Sequence, residues 1–303
     1  MSETVQHGER IGFIGLGMMG HGIAKNIVEK GYPLSVIAHR NRVPVDDLVG
    51  RGAVEVTSLA ALARQSTVVF LCVTGSPEVE AAVRGPDGLA AHLAPGSVIV
   101  DCSSSDPIST SQLAGELKAK GIDMADAPLS RTPKEAWEGT LDTMVGAEDG
   151  VFARLQPILA TWAGKIVHIG GVGDGHRMKL LNNFVSLGYG ALYAEALALA
   201  GRVGISAERF DSVIRGGRMD CGFYQTFMRF TLEGDRDAHK FSLANAFKDL
   251  RYLESMANGA GLVNPVGNAV KNAYAVAIAA GGAGDYVPML PGYIDRLNGG
   301  KAD

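Results

Sequence analysis

Short apolar runs alternate with amphipathic stretches from Ile11 to about Gly171, and this alternation constrains the fold more than any other feature of the chain. The runs have strand length and the stretches between them have helical spacing, which is the pattern of βα units in a parallel sheet. The predicted strands are Ile11–Ile14, Leu34–His39, Val68–Val73, Val98–Asp101, Ile122–Asp126, Met144–Gly146 and Lys165–Ile169. The predicted helices between them include Met18–Glu29, Pro77–Val83, Pro107–Lys118 and Gly150–Ala160.

The alternation ends near Gly171, and the rest of the chain predicts helices without a convincing strand. A long helical pattern covers about 175–203, and further ones cover Ser206–Ile214, Leu243–Met256 and Pro265–Ala279. We therefore predict an α/β fold class: a doubly wound N-terminal sheet of the Rossmann type, joined by a long helix to an all-α C-terminal domain. The predicted domains are 1–172 and 173–303, and the second begins with the connecting helix.

Charge, cysteine and hydropathy patterns exclude several classes of partner. The formal net charge of -4 offers no basic field for nucleic acid. Cys72, Cys102 and Cys221 lie far apart without a CxxC motif, which predicts reduced thiols in a cytoplasmic protein without a metal site. The longest apolar stretch, Leu187–Ala200, contains Glu195 and is shorter than the ~18–20 residues of a membrane span, so no membrane partner is expected. Because these patterns disfavour nucleic acid, a metal site and a membrane, we expect a small ligand as the partner.

The first predicted strand leads directly into a glycine-rich turn, Gly15-Leu16-Gly17-Met18-Met19-Gly20, and then into a helix. Gly15 permits a tight turn, Gly17 lets a pyrophosphate approach the backbone, and Gly20 lets helix and strand pack closely. The free N–H groups of the helix then face the anion. We predict that these six residues bind a dinucleotide; the alternative is a glycine-rich turn in an α/β protein that binds no nucleotide.

The end of the second predicted strand bears on which dinucleotide binds. An NAD site has Asp or Glu there to bond the ribose 2′-OH, whereas a 2′-phosphate needs cations. The chain reads His39-Arg40-Asn41-Arg42, with no acid. We predict NADP(H) as the favoured cofactor, with His39, Arg40 and Arg42 in the site. NAD(H) stays the alternative if one arginine is an ordinary loop charge.

A narrow polar row follows the long helical pattern. Lys179, Asn182, Asn183 and Ser186 stand at i, i+3, i+4 and i+7, so they share one face of a helix that is otherwise apolar. One lysine among amides and a hydroxyl indicates the lining of a cleft, and the alternative is the solvent face of an amphipathic helix. A lysine in a desolvated pocket has a lowered pKa, which suits proton transfer to or from a substrate oxygen.

Together, separated motifs resemble the β-hydroxyacid dehydrogenase family, which includes 3-hydroxyisobutyrate dehydrogenase and tartronate semialdehyde reductase. They are Phe13–Gly20, Asp126–Ser130 with Gly139–Leu141 and Met144–Gly146, Gly173–Lys179 with Asn183, and the pair Lys248-Asp249. The resemblance covers nearly the whole chain. It implies a site in the cleft between the two domains and a homodimer or homotetramer. It also implies that Lys179 is the catalytic acid and base and that Ser130 and Asn183 bind the substrate. The residues that it places near the cofactor are Val73, Thr74, Ser104 and Lys248.

The sequence departs from the family in the substrate loop, where the usual Ser-Gly-Gly is replaced by Ser130-Arg131-Thr132. This Arg-Thr pair resembles the loop of the sulfolactaldehyde reductases in the same family. There an arginine, an asparagine and a serine hold the sulfonate, and the matching positions are Arg131, Asn182 and Ser186. A carboxylate accepts the same donors, and the remaining alternative for Arg131 is a surface loop charge.

The combined prediction is an NAD(P)-dependent dehydrogenase or reductase of a small anionic 3-hydroxy acid or its sulfonate analogue. The alternative substrates are 3-hydroxyisobutyrate, tartronate semialdehyde and a 3-hydroxy amino acid of the serine or threonine type. A dinucleotide-dependent scaffold protein and an imine reductase are disfavoured, because such relatives usually lack the lysine that this chain has at Lys179.

Overall fold

The structure is a computed structural model that describes residues 8–300. The predicted domain limits at residues 1 and 303 lie outside the described residues. The described chain separates into two compact units between Lys179 and Leu180. The predicted boundary between residues 172 and 173 stays a prediction.

The first unit is built on one sheet whose strand order is that of a doubly wound fold. Its strands are β1 (Ile11–Ile14), β2 (Leu34–Ile37), β3 (Val54–Val56), β4 (Val68–Leu71), β5 (Val98–Asp101), β6 (Asp123–Asp126), β7 (Leu129–Ser130), β8 (Leu141–Gly146) and β9 (Ala163–Gly170). The order is β3-β2-β1-β4-β5-β6-β8, and β7 and β9 both pair with β8. Strands β1 to β6 are parallel, and β8 is antiparallel to β6. The predicted N-terminal fold is confirmed.

The helices of this unit follow the strands in βα order. They are α1 (Gly20–Glu29), α2 (Val43–Gly50), α3 (Leu59–Gln65), α4 (Ser76–Arg84), α5 (Leu89–His92), α6 (Pro107–Lys118), α7 (Pro133–Glu138) and α8 (Asp149–Leu159). The long helix α9 (Asp174–Arg202) then crosses the division between the units.

Both faces of the parallel sheet are buried, which explains why its strands read as continuous apolar runs rather than alternating ones. Along β4, Val68 and Phe70 belong to the core on one face, whereas Val69 and Leu71 belong to the core on the other. All four side chains are 0% exposed. Because successive strand residues point to opposite faces, a strand covered on both sides has to be apolar throughout.

Five strands differ in length from their predictions: β6 begins one residue later, β9 is longer by two residues at its start and one at its end, and β2, β4 and β8 differ as follows. β2 ends at Ile37, where its ladder with β3 ends, and β4 ends at Leu71, where its ladder with β1 ends. His39 and Val73 therefore belong to the loops that leave the sheet. β8 begins at Leu141, three residues earlier than predicted, because it also pairs with β7.

The second unit is helical, as predicted for the C-terminal domain. Beyond α9 its helices are α10 (Ala207–Ile214), α11 (Gly222–Glu233), α12 (Leu243–Gly259), α13 (Pro265–Ala279) and α14 (Leu290–Leu297), with short 3₁₀ turns at Gly282–Gly284 and Val287–Met289. One isolated bridge joins Ser242 and Tyr286.

An aromatic cluster forms the core of the second unit. Tyr224, Phe227 and Tyr274 are 0% exposed and pack with aliphatic side chains of α9 and α12. The hydroxyl of Tyr274 donates to the carbonyl oxygen of Leu187 at 3.0 Å. A Cβ at position 190 would lie 2.7 Å from that hydroxyl, so Gly190 is what lets α9 approach α13 here.

Helix α9 is long and apolar enough to cross a membrane by length and composition alone, with mean hydropathy 1.3. Core helices of water-soluble proteins pass the same test. The prediction of no membrane partner rested on the stretch Leu187–Ala200 alone, whereas the whole helix has 29 residues.

Candidate functional site

The glycine turn after β1 has the geometry of a phosphate cradle. Gly15 has φ +95°, and a Cβ there would lie 2.2 Å from the carbonyl oxygen of Cys72. A Cβ at Gly20 would lie 2.0 Å from the carbonyl oxygen of Gly15. A Cβ at Gly17 would meet no atom within 4 Å, so the fold itself does not require this glycine. The backbone at Gly17 is open to a ligand, and a side chain there would fill the cradle.

The start of α1 completes this cradle. Its N-cap, Met19, makes no side-chain hydrogen bond to the first turn. The N–H of His21 donates to the carbonyl oxygen of Gly17 at 3.0 Å, and the N–H groups of a helix start that lack such a partner can bind an anion. Leu16 and Met19 pack against the core, whereas Met18 is 65% exposed. The residues of the turn therefore fit the pyrophosphate of a dinucleotide.

The two arginines of the loop after β2 differ in their ion-pair partners. Arg42 forms a two-pronged ion pair with Glu55, with N–O distances of 3.0 and 2.9 Å, and a further one with Asp46 at 3.0 Å. These carboxylates raise the pKa of Arg42. Within residues 8–300 the guanidinium of Arg40 has no ion pair or hydrogen bond, and both His39 and Arg40 are exposed. Arg40 is thus the cation of this loop that no carboxylate of the described residues neutralises.

The loops after β4 and β5 lie on the other side of the point where the strand order reverses. In parallel α/β sheets ligands bind at this reversal, beyond the carboxyl ends of the strands. The N–H of Val73 donates to Oγ of Ser103 at 3.0 Å, which ties the two loops together. A Cβ built at Gly15 would also lie 3.0 Å from Cγ1 of Val73. The structure therefore brings Val73 to the glycine turn; Thr74 is exposed and Ser104 half-buried in the same two loops.

The substrate loop between β7 and α7 contains an unusual backbone angle. Among residues 8–300, Arg131 is the one non-glycine residue with positive φ, at +84°. Its Nε lies 2.9 Å from Oδ1 of Asp142 on β8. Ser130 ends β7 and is half-buried, whereas Thr132 is the N-cap of α7 and forms a capping box with Glu135. The hydroxyl of Thr132 is therefore engaged in capping the helix.

The first turn of α9 is anchored by a buried carboxylate. Asp126, at the end of β6, accepts the N–H of Gly173 on Oδ1 and the N–H of His176 on Oδ2, both at 2.6 Å. Burial raises the pKa of Asp126, and nearby His176 and the two N–H donors oppose that rise. Lys179 follows one turn later and is half-buried. Sequence reasoning assigned no role to Asp126 or His176, because a cap supplied by a distant strand leaves no local signature at the helix start.

The polar row continues on the part of α9 that lies in the second unit. Asn183 is 5% exposed, and its Nδ2 donates to Oδ2 of Asp249 at 2.6 Å. The hydroxyl of Ser186 donates to the Asn183 carbonyl oxygen at 3.2 Å, and Asn182 is exposed. Lys248 is half-buried, with Nζ 3.3 Å from Oδ1 of Asp249. The structure thus brings Asn183 and Lys248 to one carboxylate, Asp249, which the sequence had noted only as part of a motif.

No group of three or more His, Cys, Asp or Glu side chains within residues 8–300 is arranged to hold a metal ion. The candidate residues of the two units offer instead backbone N–H donors, two lysines, amides, hydroxyls and arginines. Such a set binds anions and moves protons.

Two family models match the chain. The model described as the NAD binding domain of 6-phosphogluconate dehydrogenase matches residues 10–170. The model described as NAD-binding of NADP-dependent 3-hydroxyisobutyrate dehydrogenase matches residues 173–291.

Individual proteins match as well. The 3-sulfolactaldehyde reductase of Escherichia coli K12 is 31% identical over 282 residues, which are 92% of this chain and 94% of that protein. The 2-hydroxy-3-oxopropionate reductase of the same organism is 36% identical over 210 residues, or 69% of this chain and 70% of that protein. A solved structure of Mycobacterium tuberculosis 3-hydroxyisobutyrate dehydrogenase with L-serine has TM-score 0.83 and 26% identity, covering 94% of this chain and 99% of that one.

Proposed function

Since the chain belongs to the β-hydroxyacid dehydrogenase family of NAD(P)-dependent oxidoreductases, we propose that it interconverts a small anionic 3-hydroxy acid, or its sulfonate analogue, and the corresponding aldehyde or ketone. The bound nicotinamide supplies or accepts the hydride. Lys179 takes the proton from the substrate hydroxyl in oxidation and returns it to the carbonyl oxygen in reduction.

The observation that carries this proposal is the burial and the hydrogen bond of Asn183, which lies one helical turn beyond Lys179. Its amide is almost fully buried and is fixed by Asp249 at 2.6 Å, which is unlike a solvated helix face. With one N–H held by the carboxylate, the second N–H and the carbonyl oxygen remain to bind a substrate oxygen or the Lys179 ammonium. At Asn183 the polar row of α9 is therefore suited to chemistry rather than to hydration, whereas Asn182 of the same row is exposed.

The favoured cofactor in this proposal is NADP(H), held by residues 15–20 and by the loops after β2, β4 and β5. The absence of an acid at the end of β2 and the unneutralised guanidinium of Arg40 support a 2′-phosphate. Arg42 contributes less, because Glu55 and Asp46 already bind its guanidinium. From the second unit, we assign Lys248 to the cofactor as well.

The residues that we assign to the substrate site are Ser130, Arg131 and Thr132 from the loop, and Asn182, Asn183 and Ser186 from α9. The similarity to a 3-sulfolactaldehyde reductase supports a sulfonate as the acid group. The two terminal nitrogens of Arg131 supply forked donors for such an anion, while its Nε lies 2.9 Å from Oδ1 of Asp142. Thr132 contributes through its cap of α7, which fixes the loop. The second candidate is a 3-hydroxy amino acid, since a similar solved dehydrogenase is recorded with L-serine.

A substrate screen tests the proposal. Purified enzyme is assayed with hydroxysulfonates, small 3-hydroxy acids and 3-hydroxy amino acids, with NADP and with NAD. We expect turnover in one of these classes and faster turnover with NADP. Absence of turnover with every class and both cofactors would refute the proposed function.

The selector role of Arg131 is tested by Arg131→Gly. We expect the ratio of kcat/KM for 3-sulfolactaldehyde over tartronate semialdehyde to fall roughly 10-fold or more, since one charge-assisted contact contributes about 1.5–3 kcal/mol. Lys134→Ala removes a charge from the adjacent helix and is the matched control. An unchanged ratio in Arg131→Gly would remove Arg131 as a selector.

We further propose a cytoplasmic homo-oligomer, a dimer or a tetramer. The free cysteines Cys72, Cys102 and Cys221 support a reducing compartment. The outer face of α9 supports self-association, because it exposes a row of large apolar side chains. That row consists of Leu181, Val185, Tyr189, Leu192 and Leu199.

A further inference from the structure

A buried polar cluster lies directly beneath the first turn of α9 in the first unit. It contains the carboxylates of Asp101 and Asp126 and the imidazole of His176, all three 0% exposed. Thr110 on α6 is 1% exposed and belongs to the same cluster. The proposed mechanism uses none of these four side chains, yet buried polar groups are costly unless their hydrogen bonds are made.

Each ring nitrogen of His176 has a partner on a different element. Nε2 lies 3.1 Å from the carbonyl oxygen of Ser103, and because a carbonyl oxygen only accepts, Nε2 is the donor. Nδ1 lies 2.9 Å from Oγ1 of Thr110. Oδ2 of Asp101 is 3.8 Å from Nε2, and Oδ2 of Asp126 is 3.8 Å from Nδ1. The imidazole is therefore held between the loop after β5, helix α6 and the end of β6.

The loop that His176 contacts is itself ordered by the cluster. Asp101 accepts the N–H of Ser103 at 2.8 Å and the hydroxyl of Ser105 at 2.7 Å. The hydroxyl of Ser103 in turn accepts the N–H of Val73. The imidazole of His176 thus connects the start of α9 to the two loops that we assign to the cofactor.

The packing around Asp126 leaves this connection little freedom. A Cβ at Gly175 would lie 2.3 Å from the Met144 carbonyl oxygen and 2.8 Å from Oδ2 of Asp126, and a Cβ at Gly146 would lie 2.5 Å from Oδ1. The carboxylate is therefore enclosed by backbone on both sides. Small displacements of reacting groups cost up to ~10²-fold in rate, so the register of this turn matters for Lys179, three residues after His176.

We propose that His176, together with Asp126, is a positioning residue that fixes the first turn of α9 against the loop at Ser103 and so places Lys179 for proton transfer. This inference rests on the proposed function for the role of Lys179. His176 touches neither substrate nor cofactor in it; the imidazole acts through the backbone of the turn that it belongs to.

The test compares His176→Leu, which removes both ring contacts at similar volume, with His176→Gln, which keeps one donor and one acceptor. We expect His176→Leu to lower kcat at least 10-fold while changing KM and the cofactor Kd less than threefold, and His176→Gln to restore kcat to within threefold of wild type. His168→Leu is the matched control. That imidazole also has Nε2 near a carbonyl oxygen, 2.8 Å from Ala147, but it lies on β9.

Amide hydrogen exchange of the segment 173–182 provides a readout that needs no activity. We expect faster exchange there in His176→Leu, and wild-type exchange in His176→Gln and His168→Leu. An unchanged kcat in His176→Leu, or unchanged exchange in this segment, would overturn the inference. If His176→Leu does not fold, Asp126→Asn and Thr110→Val are measured in the same way, and wild-type kcat in both overturns it.

The two hypotheses fail differently. Wild-type kcat in Lys179→Ala would remove the proposed catalytic role while the exchange results for His176 stood unaffected. A normal kcat in His176→Leu beside an inactive Lys179→Ala would overturn the positioning role alone.

Discussion

At the scale of single residues, Arg131 offers a guanidinium to an anionic substrate but adopts a strained backbone conformation. Its φ of +84° is the left-handed region that glycine adopts freely. A non-glycine residue there costs roughly 1–2 kcal/mol. The sequence showed that an arginine replaces the usual glycine of the family. It did not show the angle, because φ is set by the turn from β7 into α7.

The strain is measured by comparing the free energies of urea unfolding of Arg131→Gly and Arg131→Ala. Both variants remove the ion pair with Asp142, but only glycine relieves the angle. We expect the free energy of unfolding of Arg131→Gly to exceed that of Arg131→Ala by about 1 kcal/mol. Equal stability of the two variants would show that the position carries no backbone strain.

Arg40 and Arg42 looked equivalent in the sequence, and the structure separates them. Within the part of the chain that the structure describes, Arg42 is bound to the carboxylates of Glu55 and Asp46, whereas Arg40 has no carboxylate partner. We expect Arg40→Ala to lower the ratio of kcat/KM with NADP over NAD roughly 10-fold or more, as loss of one charged phosphate contact predicts. Arg42→Ala should lower it less. A clear preference of the wild-type enzyme for NAD would contradict our reading of both arginines.

At the scale of elements, the sequence predicted some strands and helices with the bounds that the structure has. The bounds of β1, β5, α6 and α13 agree with their predictions. Strands β3 and β7 were not predicted: β3 is a three-residue edge strand with two exposed residues, and β7 has two residues. Helix α7 depends on the capping box of Thr132 rather than on apolar periodicity. Short edge elements carry too few buried residues to leave a periodic pattern.

The candidate site was predictable where it lies on one element and not where it joins several. The polar row of α9 and the glycine turn are local patterns, so their residues were found in the sequence. The roles of Asp126 and Asp249 depend on bonds across 47 to 66 positions of the chain. No local spacing reports such contacts.

The close approach of α9 to β8 gives a prediction for its second residue. A Cβ at Gly175 would lie 2.3 Å from the Met144 carbonyl oxygen, so Gly175→Ala should lower the free energy of unfolding by about 1–3 kcal/mol. Gly150, the second residue of α8, is the matched control because a Cβ there meets nothing within 4 Å. Gly150→Ala should leave stability unchanged or raise it by up to about 1 kcal/mol. Urea unfolding of both variants measures the difference, and equal effects would contradict the packing argument.

At the scale of the whole molecule, the exposed apolar row on α9 predicts that copies of the chain associate. Leu192 and Leu199 are each 64% exposed, and the row repeats at helical spacing. We expect the wild-type protein to be a dimer or tetramer by light scattering and Leu192→Glu to shift it toward the monomer. Val263→Glu, at an 86% exposed valine outside the row, is the control. A monomeric wild type at micromolar concentration would remove the proposed interface.

The central claim is that Lys179 transfers the proton in a nicotinamide-dependent oxidation and reduction. The most direct measurement is kcat of Lys179→Ala on the substrate that the screen identifies, alongside the Kd of the cofactor. Lys165→Ala, at an exposed lysine on β9, is the control and should retain wild-type kcat. The account predicts that Lys179→Ala loses about 10²–10⁴-fold in kcat with an unchanged cofactor Kd. Near-normal turnover in that variant would contradict it.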